Sequence, residues 1–410
     1  MFKRLILFIL SLALIAGLTS AVVLYGRGYR FDPKAKSISP TGILSVSSYP
    51  EKASIFINGK LTSATNASLT LAPEWYDIKI SKEGYQSWEK RIRIQGEVVS
   101  QIDALLVPFN PSLRAITFTG VINPRLSPSG TKTAYLVKSS ETDPATGRNL
   151  SGVWLLELRT GPLGTKPDPK QIFSMDPAIL GSSADFPYEN AELYWSYDEK
   201  ELIVAFFPEN PPPAVALEAE RAFLLLTDNG VSTSPIEITS RYTQILAEWQ
   251  EEKMIKDEAN MASLPDAISR VLTTSTSSLR FSPDETKILY QATAGASLKP
   301  VIDPPLIGRN PTEETRSLND GKFYIYDIKE DKNYYLADSQ PRWYTDSKHL
   351  ILVEKEKITV VDYDGTNKRS VYSGPFTDEF VFSWTSGGKI VILTNLNSST
   401  SADFYEVDLR

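Results

Sequence analysis

LRFSPDETKILYQA, residues 279–292, sets a short apolar strand, a tight polar turn and a second apolar strand in succession, and the same plan returns four more times. PRLSPSGTKTAYLV at 124–137, LYWSYDEKELIVAF at 193–206, PRWYTDSKHLILVE at 341–354 and FSWTSGGKIVIL at 382–393 repeat it. In each copy an anchor residue (Leu126, Trp195, Phe281, Trp343, Trp384) precedes the turn, at intervals of 69, 86, 62 and 41 residues. The shortest interval equals the roughly 40–45 residues of a four-stranded propeller blade, and the longer ones are that unit with insertions. GVWLLELRTG, AFLLLTDNG, KFYIYDIKEDK, KITVVDYDG and DFYEVDLR supply a further strand in each unit. The repeat therefore predicts a five-bladed β-propeller over 109–410. Its last unit stops one strand short, so SLRAITFT, residues 112–119, is the spare strand expected to complete the fifth blade.

In an antiparallel blade the first–second and third–fourth turns share one end, and the middle loop and blade links share the other. The long insertions 138–150, 208–220 and 293–320 fall in middle loops, and 174–190 and 240–275 fall in links, so all of them are expected at one end. The 240–275 insertion has helical spacing: Leu264, Ile268, Val271 and Leu272 recur at i, i+4, i+7 and i+8 after Pro265, and Ile245 and Trp249 make a narrower stripe before it. A helical hairpin over the propeller mouth is the expected arrangement.

The N-terminus reads differently. Lys3 and Arg4 precede an uncharged run from Leu5 to Tyr25, 21 residues, enough to cross a hydrocarbon core of roughly 30 Å. A retained transmembrane anchor over 5–25, after a cytoplasmic tail of 1–4, is expected; a cleaved signal peptide is the competing reading. Arg27, Arg30, Lys34 and Lys36 make 26–41 a basic stalk, and these charges leave orientation to the short N-tail, which favours an extracytoplasmic body.

Residues 42–108 alternate with period two. WYDIKIS sets Tyr76, Ile78 and Ile80 on one face and Asp77, Lys79 and Ser81 on the other, and Asn58-Gly59 supplies a two-residue hairpin turn. A small all-β sandwich follows. The stretch TGILSVSSYPEKASIFINGKLTSATNASLTLAPEWYDIKISKEGYQSW resembles a PEGA domain in its S-x-P-x-x-A-x-I-F-I-N-G hairpin, in Pro73 and Tyr76, and in KEGY followed by Trp88; Glu74 stands where that family prefers Gly. The turn-plus-KILY units resemble TolB-type propeller repeats. Together these likenesses imply a bacterial membrane-anchored protein with an extracytoplasmic, surface-associated body but lend little function; a binding or scaffold role in the cell envelope is the expectation set beside them.

The composition excludes several classes of chemistry. There is no Cys, which removes disulfides, thiol catalysis and cysteine zinc sites. A net charge of -7, with +5 concentrated in residues 1–40, leaves an acidic body unsuited to nucleic acid. His349, the one histidine, is expected to be a solvated strand-end residue; no G-x-S-x-G elbow accompanies it. DYDGTN at 362–367 begins like a calcium loop, but other units place plain turns there, so a hairpin turn is expected. GRGYRF at 26–31 has Phe31 in place of the third glycine of a dinucleotide fingerprint and reads as stalk.

No catalytic, cofactor or metal site emerges. The expected working surface is the insertion face, with Asp143, Arg148, Tyr242, Trp249, Arg309, Glu313, Glu314 and Arg316 as candidate partner-binding residues. The partners expected are the lipid bilayer through residues 5–25 and an envelope protein or wall polymer. A glycan hydrolase or lyase with paired carboxylates in the mouth is the alternative.

Overall fold

The computed structural model describes the chain apart from residues 1, 27, 33–36, 145–146, 160–167, 176–187, 209–217, 229, 231–234, 338, 378–379, 386, 397–400 and 410. The insertions expected at 174–190 and 208–220 thus lie largely outside the described residues. Helix α1, Phe2–Gly26, contains a stretch, Arg4–Gly26, long and apolar enough to cross a membrane, with mean hydropathy 2.6. The rest is mostly β structure. It separates into two compact units: Met1–Phe109 with Pro300–Thr315 and Lys329–Lys332, and Asn110–Lys299 with Arg316–Ile328 and Asn333–Arg410.

In the first unit, the stalk carries a two-stranded ribbon, Tyr29–Asp32 with Ser37–Pro40. Two sheets follow. One is three-stranded, with Gly42–Tyr49 between Ala67–Leu71 and Val99–Leu105; the other runs Lys60–Ala64, Ser54–Ile57, Trp75–Ser81, Trp88–Arg93. Period-two alternation does its work here: Leu44, Val46, Ile55, Ile78, Ile80 and Trp88 form one buried cluster, while Asp77 and Lys79 stay exposed. Asn58 (φ 48°) and Gly59 (φ 78°) adopt the two positive φ angles that the tight hairpin requires.

The second unit contains five four-stranded antiparallel sheets in chain order. The first is Ile122–Leu126, Lys132–Val137, Gly152–Glu157, Lys170–Ser174; the second is Ala191–Trp195, Glu201–Phe206, Arg221–Leu226, Ile236–Glu237. The third is Thr276–Phe281, Lys287–Ala292, Phe323–Asp327, Lys332–Ala337; the fourth is Pro341–Trp343, His349–Glu354, Lys357–Asp362, Arg369–Ser373. The fifth takes Val381–Ser383, Lys389–Thr394 and Asp403–Asp408 from the end of the chain and Ser112–Ala115 as its outer strand. The spare strand therefore lies where the repeat required it, with Ser112 opposite Asp408 and Ala115 opposite Tyr405.

Buried apolar clusters join neighbouring sheets. One mixes Leu136 and Phe173 of the first with Leu202 and Phe223 of the second; another mixes Leu289 and Ile325 of the third with Leu350 and Val361 of the fourth. A further cluster joins Tyr135 and Leu156 of the first to Trp384 and Phe404 of the fifth. Between the fourth and fifth, Arg342 Nη1 donates to the Val381 carbonyl at 2.9 Å and the Gly388 N–H donates to Tyr344 Oη at 2.6 Å.

Two helices occur between the second and third sheets: α2, Tyr242–Ala262, and α3, Asp266–Ser275. Their position corrects the expectation of a cap over a mouth. The start of α2 packs Tyr242, Ile245, Leu246 and Trp249 on Ile203, Ala205 and Ala222 of the second sheet. Further along, Lys256 lies 5.4 Å from the Tyr197 ring and 3.5 Å from Glu285, residues of the first–second turns of the second and third sheets. The helix thus runs along the sheet from the link end to the turn end, because its apolar stripe finds the apolar face of strands rather than an opening. In α3 the predicted stripe is buried at Ile268 and Leu272.

The 293–320 insertion is corrected in the same direction. Its central part, Pro300–Thr315, belongs to the first unit together with the 329–332 turn, which closes a third–fourth hairpin. Asp331 Oδ2 accepts the Val301 and Ile302 N–H groups at 2.7 and 3.0 Å, and Lys332 Nζ donates to the Asn310 and Thr312 carbonyls at 2.6 and 2.5 Å. Charged side chains at one hairpin turn draw the arm away from the end at which it leaves the sheet.

Candidate functional site

The edge strand that leads into the first turn of each of the five sheets places one equivalent residue before its anchor: Arg125, Tyr194, Arg280, Arg342 and Ser383. Three arginines occupy this column, and these five edge strands contain only one acidic residue, Glu192. Local sequence causes the arrangement, since PRL, LRF and PRW repeat with strand period and so return the residue before the anchor to the same register. Trp195 Nε1 donates to the Arg125 carbonyl at 3.1 Å, and Trp343 Nε1 donates to the Arg280 carbonyl at 3.2 Å. These two anchor indoles thereby fix the backbone beneath an arginine of the preceding sheet.

Arg125 and Arg280 are exposed, and neither forms an ion pair among the described residues. Arg342 is half-buried and reaches Val381 on the edge strand of the fifth sheet. The Tyr194 hydroxyl donates to Glu192 at 2.5 Å. Burial raises the Tyr194 pKa, its bond to Glu192 adds to the rise, and the charge of Arg125 opposes it. Guanidinium groups with free donor edges offer planar, bidentate contacts to carboxylate or phosphate.

This column escaped the sequence reading, although the arginine before the anchor is visible in three of the five aligned units. Of the residues that were predicted, Tyr242 is corrected: it is 7 % exposed, with its hydroxyl accepting the Ala219 N–H at 3.3 Å, so it belongs to the core under α2. Trp249 lies on the same cluster. Asp143 and Arg148 close a small loop through the Asp143 N–H and the Arg148 carbonyl at 2.8 Å, and Arg309 and Glu314 approach to 3.8 Å. Arg309, Glu313 and Glu314 belong to the first unit and the other five residues to the second.

His349 also departs from expectation, being 3 % exposed rather than solvated. Its Nδ1 lies 2.6 Å from Asp346 Oδ2 and its Nε2 lies 3.4 Å from Asp362 Oδ1. Burial alone would lower its pKa; the charges and hydrogen bonds of Asp346 and Asp362 overcome that and raise it to about 10. Burial in turn works to raise the pKa of Asp346, but His349 and the backbone N–H groups of Lys348 and His349 hold it below the ordinary carboxylate range. At neutral pH the ring is an imidazolium with both protons committed, so it has no lone pair for general-base work. It ties the 344–348 turn to the hairpin beginning at Asp362.

DYDGTN forms that hairpin turn. The Thr366 hydroxyl lies 2.6 Å from Asp364 Oδ1, Asn367 Nδ2 donates to Asp362 Oδ2 at 3.0 Å, and the Gly365 N–H donates to the Asp362 carbonyl at 2.9 Å. Among the described residues no group of three or more His, Asp or Glu is arranged to hold a metal ion.

Comparison with known proteins agrees over the first unit, where residues 41–109 match the PEGA domain. No curated protein matches the chain. Among solved structures, one from Agrobacterium tumefaciens named as a TolB is 12 % identical, over 72 % of this chain and 83 % of that one, with a TM-score of 0.23. TolB from Acinetobacter baumannii is 14 % identical over 81 % of this chain and 59 % of its own, with a TM-score of 0.22. The Cps50 (Swd1) β-propeller domain of Myceliophteria thermophila is 10 % identical over 73 % and 86 %, with a TM-score of 0.21. Scores this low carry no argument about the chain, and the reading of the second unit rests on its own strand order.

Proposed function

We propose that this chain is a single-pass, membrane-anchored binding protein of the cell envelope, with α1 in the bilayer and the body outside the cytoplasm. Its second unit is a five-bladed propeller that acts as a scaffold rather than as an enzyme. The sheet contacts support closure: they run from first to second, through α2 towards the third, then to the fourth, the fifth and back to the first. In a closed ring the innermost strands line the centre, and the arginine column lines it with them.

The observation that carries the binding role is that column, two of whose guanidinium groups are exposed and unpaired among the described residues of an otherwise acidic body. Its partner is an anionic one, an acidic segment of an envelope protein or an acidic surface polymer. The inner strands rather than the insertion face carry this role, because α2 is packed on the second sheet and the legs of the 300–315 arm are held by Asp331 and Lys332. The paired-carboxylate alternative has little support here, since the single inner-strand acid, Glu192, is bonded to Tyr194.

The test is capture from solubilised native envelope by three full-length proteins: wild type, Arg125→Gln/Arg280→Gln, and Glu251→Gln/Glu252→Gln on exposed α2. Salt-sensitive partners lost only from the arginine variant are expected. Equal recovery from all three, or loss only from the α2 variant, contradicts the proposal. Protease added to intact cells should degrade the body, and full protection until lysis would reverse the topology.

A further inference from the structure

The tip of the 300–315 arm exposes Leu306 and Ile307, at 46 % and 72 % of their full accessibility. Two aliphatics at a loop tip in water need no explanation by themselves. Their position supplies one. A continuous series of backbone contacts leads from the end of α1 to this tip. The Gly28 N–H donates to the Tyr25 carbonyl at 3.1 Å, the Thr41 N–H to the Gly28 carbonyl at 3.0 Å, and the Glu97 N–H to the Thr41 carbonyl at 3.0 Å. Next to Glu97, Val98 accepts the Ile43 N–H at 2.9 Å and packs against Gly308, whose N–H donates to Gln95 Oε1.

At about 5 Å for each step between segments and about 4 Å for each step along the chain, this path sets the tip within roughly 30 Å of the end of α1. Ile43 and Val99, paired in register on the outer face of the three-stranded sheet, are exposed at 42 % and 58 % beside the same contacts. At the helix end, the Arg30 guanidinium stacks 3.8 Å from the Tyr25 ring and donates to the Tyr25 carbonyl at 2.8 Å, an aromatic and basic pairing suited to the headgroup level.

The arm is held for presentation. Asp331 and Lys332 clamp its two legs as described above, and Glu330 accepts the Asn310 N–H at 2.9 Å. A tip whose legs are fixed loses little freedom when it is immersed. We infer that Leu306 and Ile307, with Ile43 and Val99, form a second membrane contact that dips into the headgroup–acyl boundary beside α1. The occupant is lipid because the contacts that hold this apolar face and tip lead directly from the segment that enters the bilayer. The inference rests on α1 being a membrane anchor.

The absence of cysteine makes the test direct, because a single introduced thiol labels one site. Full-length Ile307→Cys, Leu14→Cys and Asp228→Cys proteins, each carrying an environment-sensitive dye, are reconstituted in phosphatidylcholine–phosphatidylglycerol vesicles. Lipids bearing a shallow spin label and aqueous iodide serve as opposing quenchers. Position 14 lies in α1, and Asp228 is an exposed residue of the second unit, with its side chain 75 % accessible. Lipid quenching at 307 at least threefold that at 228, with iodide quenching reduced at least twofold, is the expected result.

Quenching at 14 but iodide access at 307 equal to that at 228 overturns this inference and leaves the anchor standing. Protection from both quenchers at 307 means that protein covers the tip, and this also overturns it. Absence of lipid quenching at 14 removes the anchor, and the inference falls with it. In a second set, Val99→Cys is labelled with and without Leu306→Ser/Ile307→Ser. Its lipid quenching should fall at least twofold in the serine background, and no change would show that the tip does not seat this face.

Discussion

Replacing Thr117 by Val should loosen the seam at which the two ends of the second unit meet. Thr117 is 3 % exposed; its hydroxyl donates to Asp403 Oδ1 at 2.9 Å and accepts the Phe404 N–H at 2.8 Å, joining positions 286 residues apart. Asp403, itself buried, also accepts the Gly120 N–H at 3.1 Å. Phe404 directs its carbonyl to Ile116 at 2.7 Å on the same side, so its N–H faces the outer strand as well and has Thr117 as its partner. Valine keeps the branched shape and removes only the hydroxyl. The loss comprises a hydrogen bond to a carboxylate, roughly 1.5–3 kcal/mol, and part of the cost of an orphaned buried N–H, roughly 1–3 kcal/mol. A destabilisation of about 3 kcal/mol follows, or about 6 °C for a unit of this size at about 2 °C per kcal/mol. Calorimetry and urea unfolding of the detergent-solubilised full chain should show this on the transition of the second unit, with Thr117→Ser close to wild type. A shift below about 1 °C for the valine variant, or an equal shift for serine, would refute the assignment of this contact as the closing staple.

The His349 clamp predicts a pH dependence. Its folded pKa of about 10 exceeds the ordinary 6.5, so its contribution is fully present below about pH 6.5, declines above it and is lost as pH rises through 10. A rise of about 3.5 pH units at 1.36 kcal/mol each bounds the effect at about 5 kcal/mol, and His349→Gln should flatten the urea-midpoint profile between pH 6.5 and 10. The lowered Asp346 pKa acts oppositely: its contribution is present above the ordinary carboxylate range and is lost as acid reaches the folded pKa, which Asp346→Asn should abolish. Lys389 and Glu406, 2.8 Å apart and each 5 % exposed at the side chain, form a buried pair. Glu406→Leu alone should cost about 3–5 kcal/mol in chemical unfolding, whereas Lys389→Met/Glu406→Leu should recover most of it. Gly308 has φ +80° and an added Cβ would collide with Val98 Cγ1, so Gly308→Ala should cost roughly 1–2 kcal/mol and raise hydrogen exchange in 300–315.

Strand order was legible because it depends on short-range pattern. Each unit carries its anchor, its polar turn and its apolar strand within a few residues. Asn58-Gly59 likewise announces its turn through backbone conformation alone. Packing partners were less legible. Ile245 and Trp249 show that α2 has an apolar stripe, but the choice of Ile203 and Ala205 as its seat depends on which sheet faces stay uncovered. The 300–315 arm has no periodicity, and it docks through Asp331 and Lys332, whose polar side chains read as an ordinary turn. Asp346 is close to His349 in sequence, whereas Asp362 joins it only through the register that sets it opposite His349 across two strands. The arginine column required the five units to be stacked and read downwards.

Fluorescence anisotropy of labelled poly-L-glutamate, titrated with the nanodisc-embedded full chain at 20 and 300 mM salt, tests the binding role most directly. The account predicts saturable binding at low salt, weakened at least tenfold at high salt and weakened comparably by Arg125→Gln/Arg280→Gln at low salt, because exposed guanidinium–carboxylate contacts are screened. The absence of binding at low salt, or binding that the double variant leaves unchanged, would contradict it.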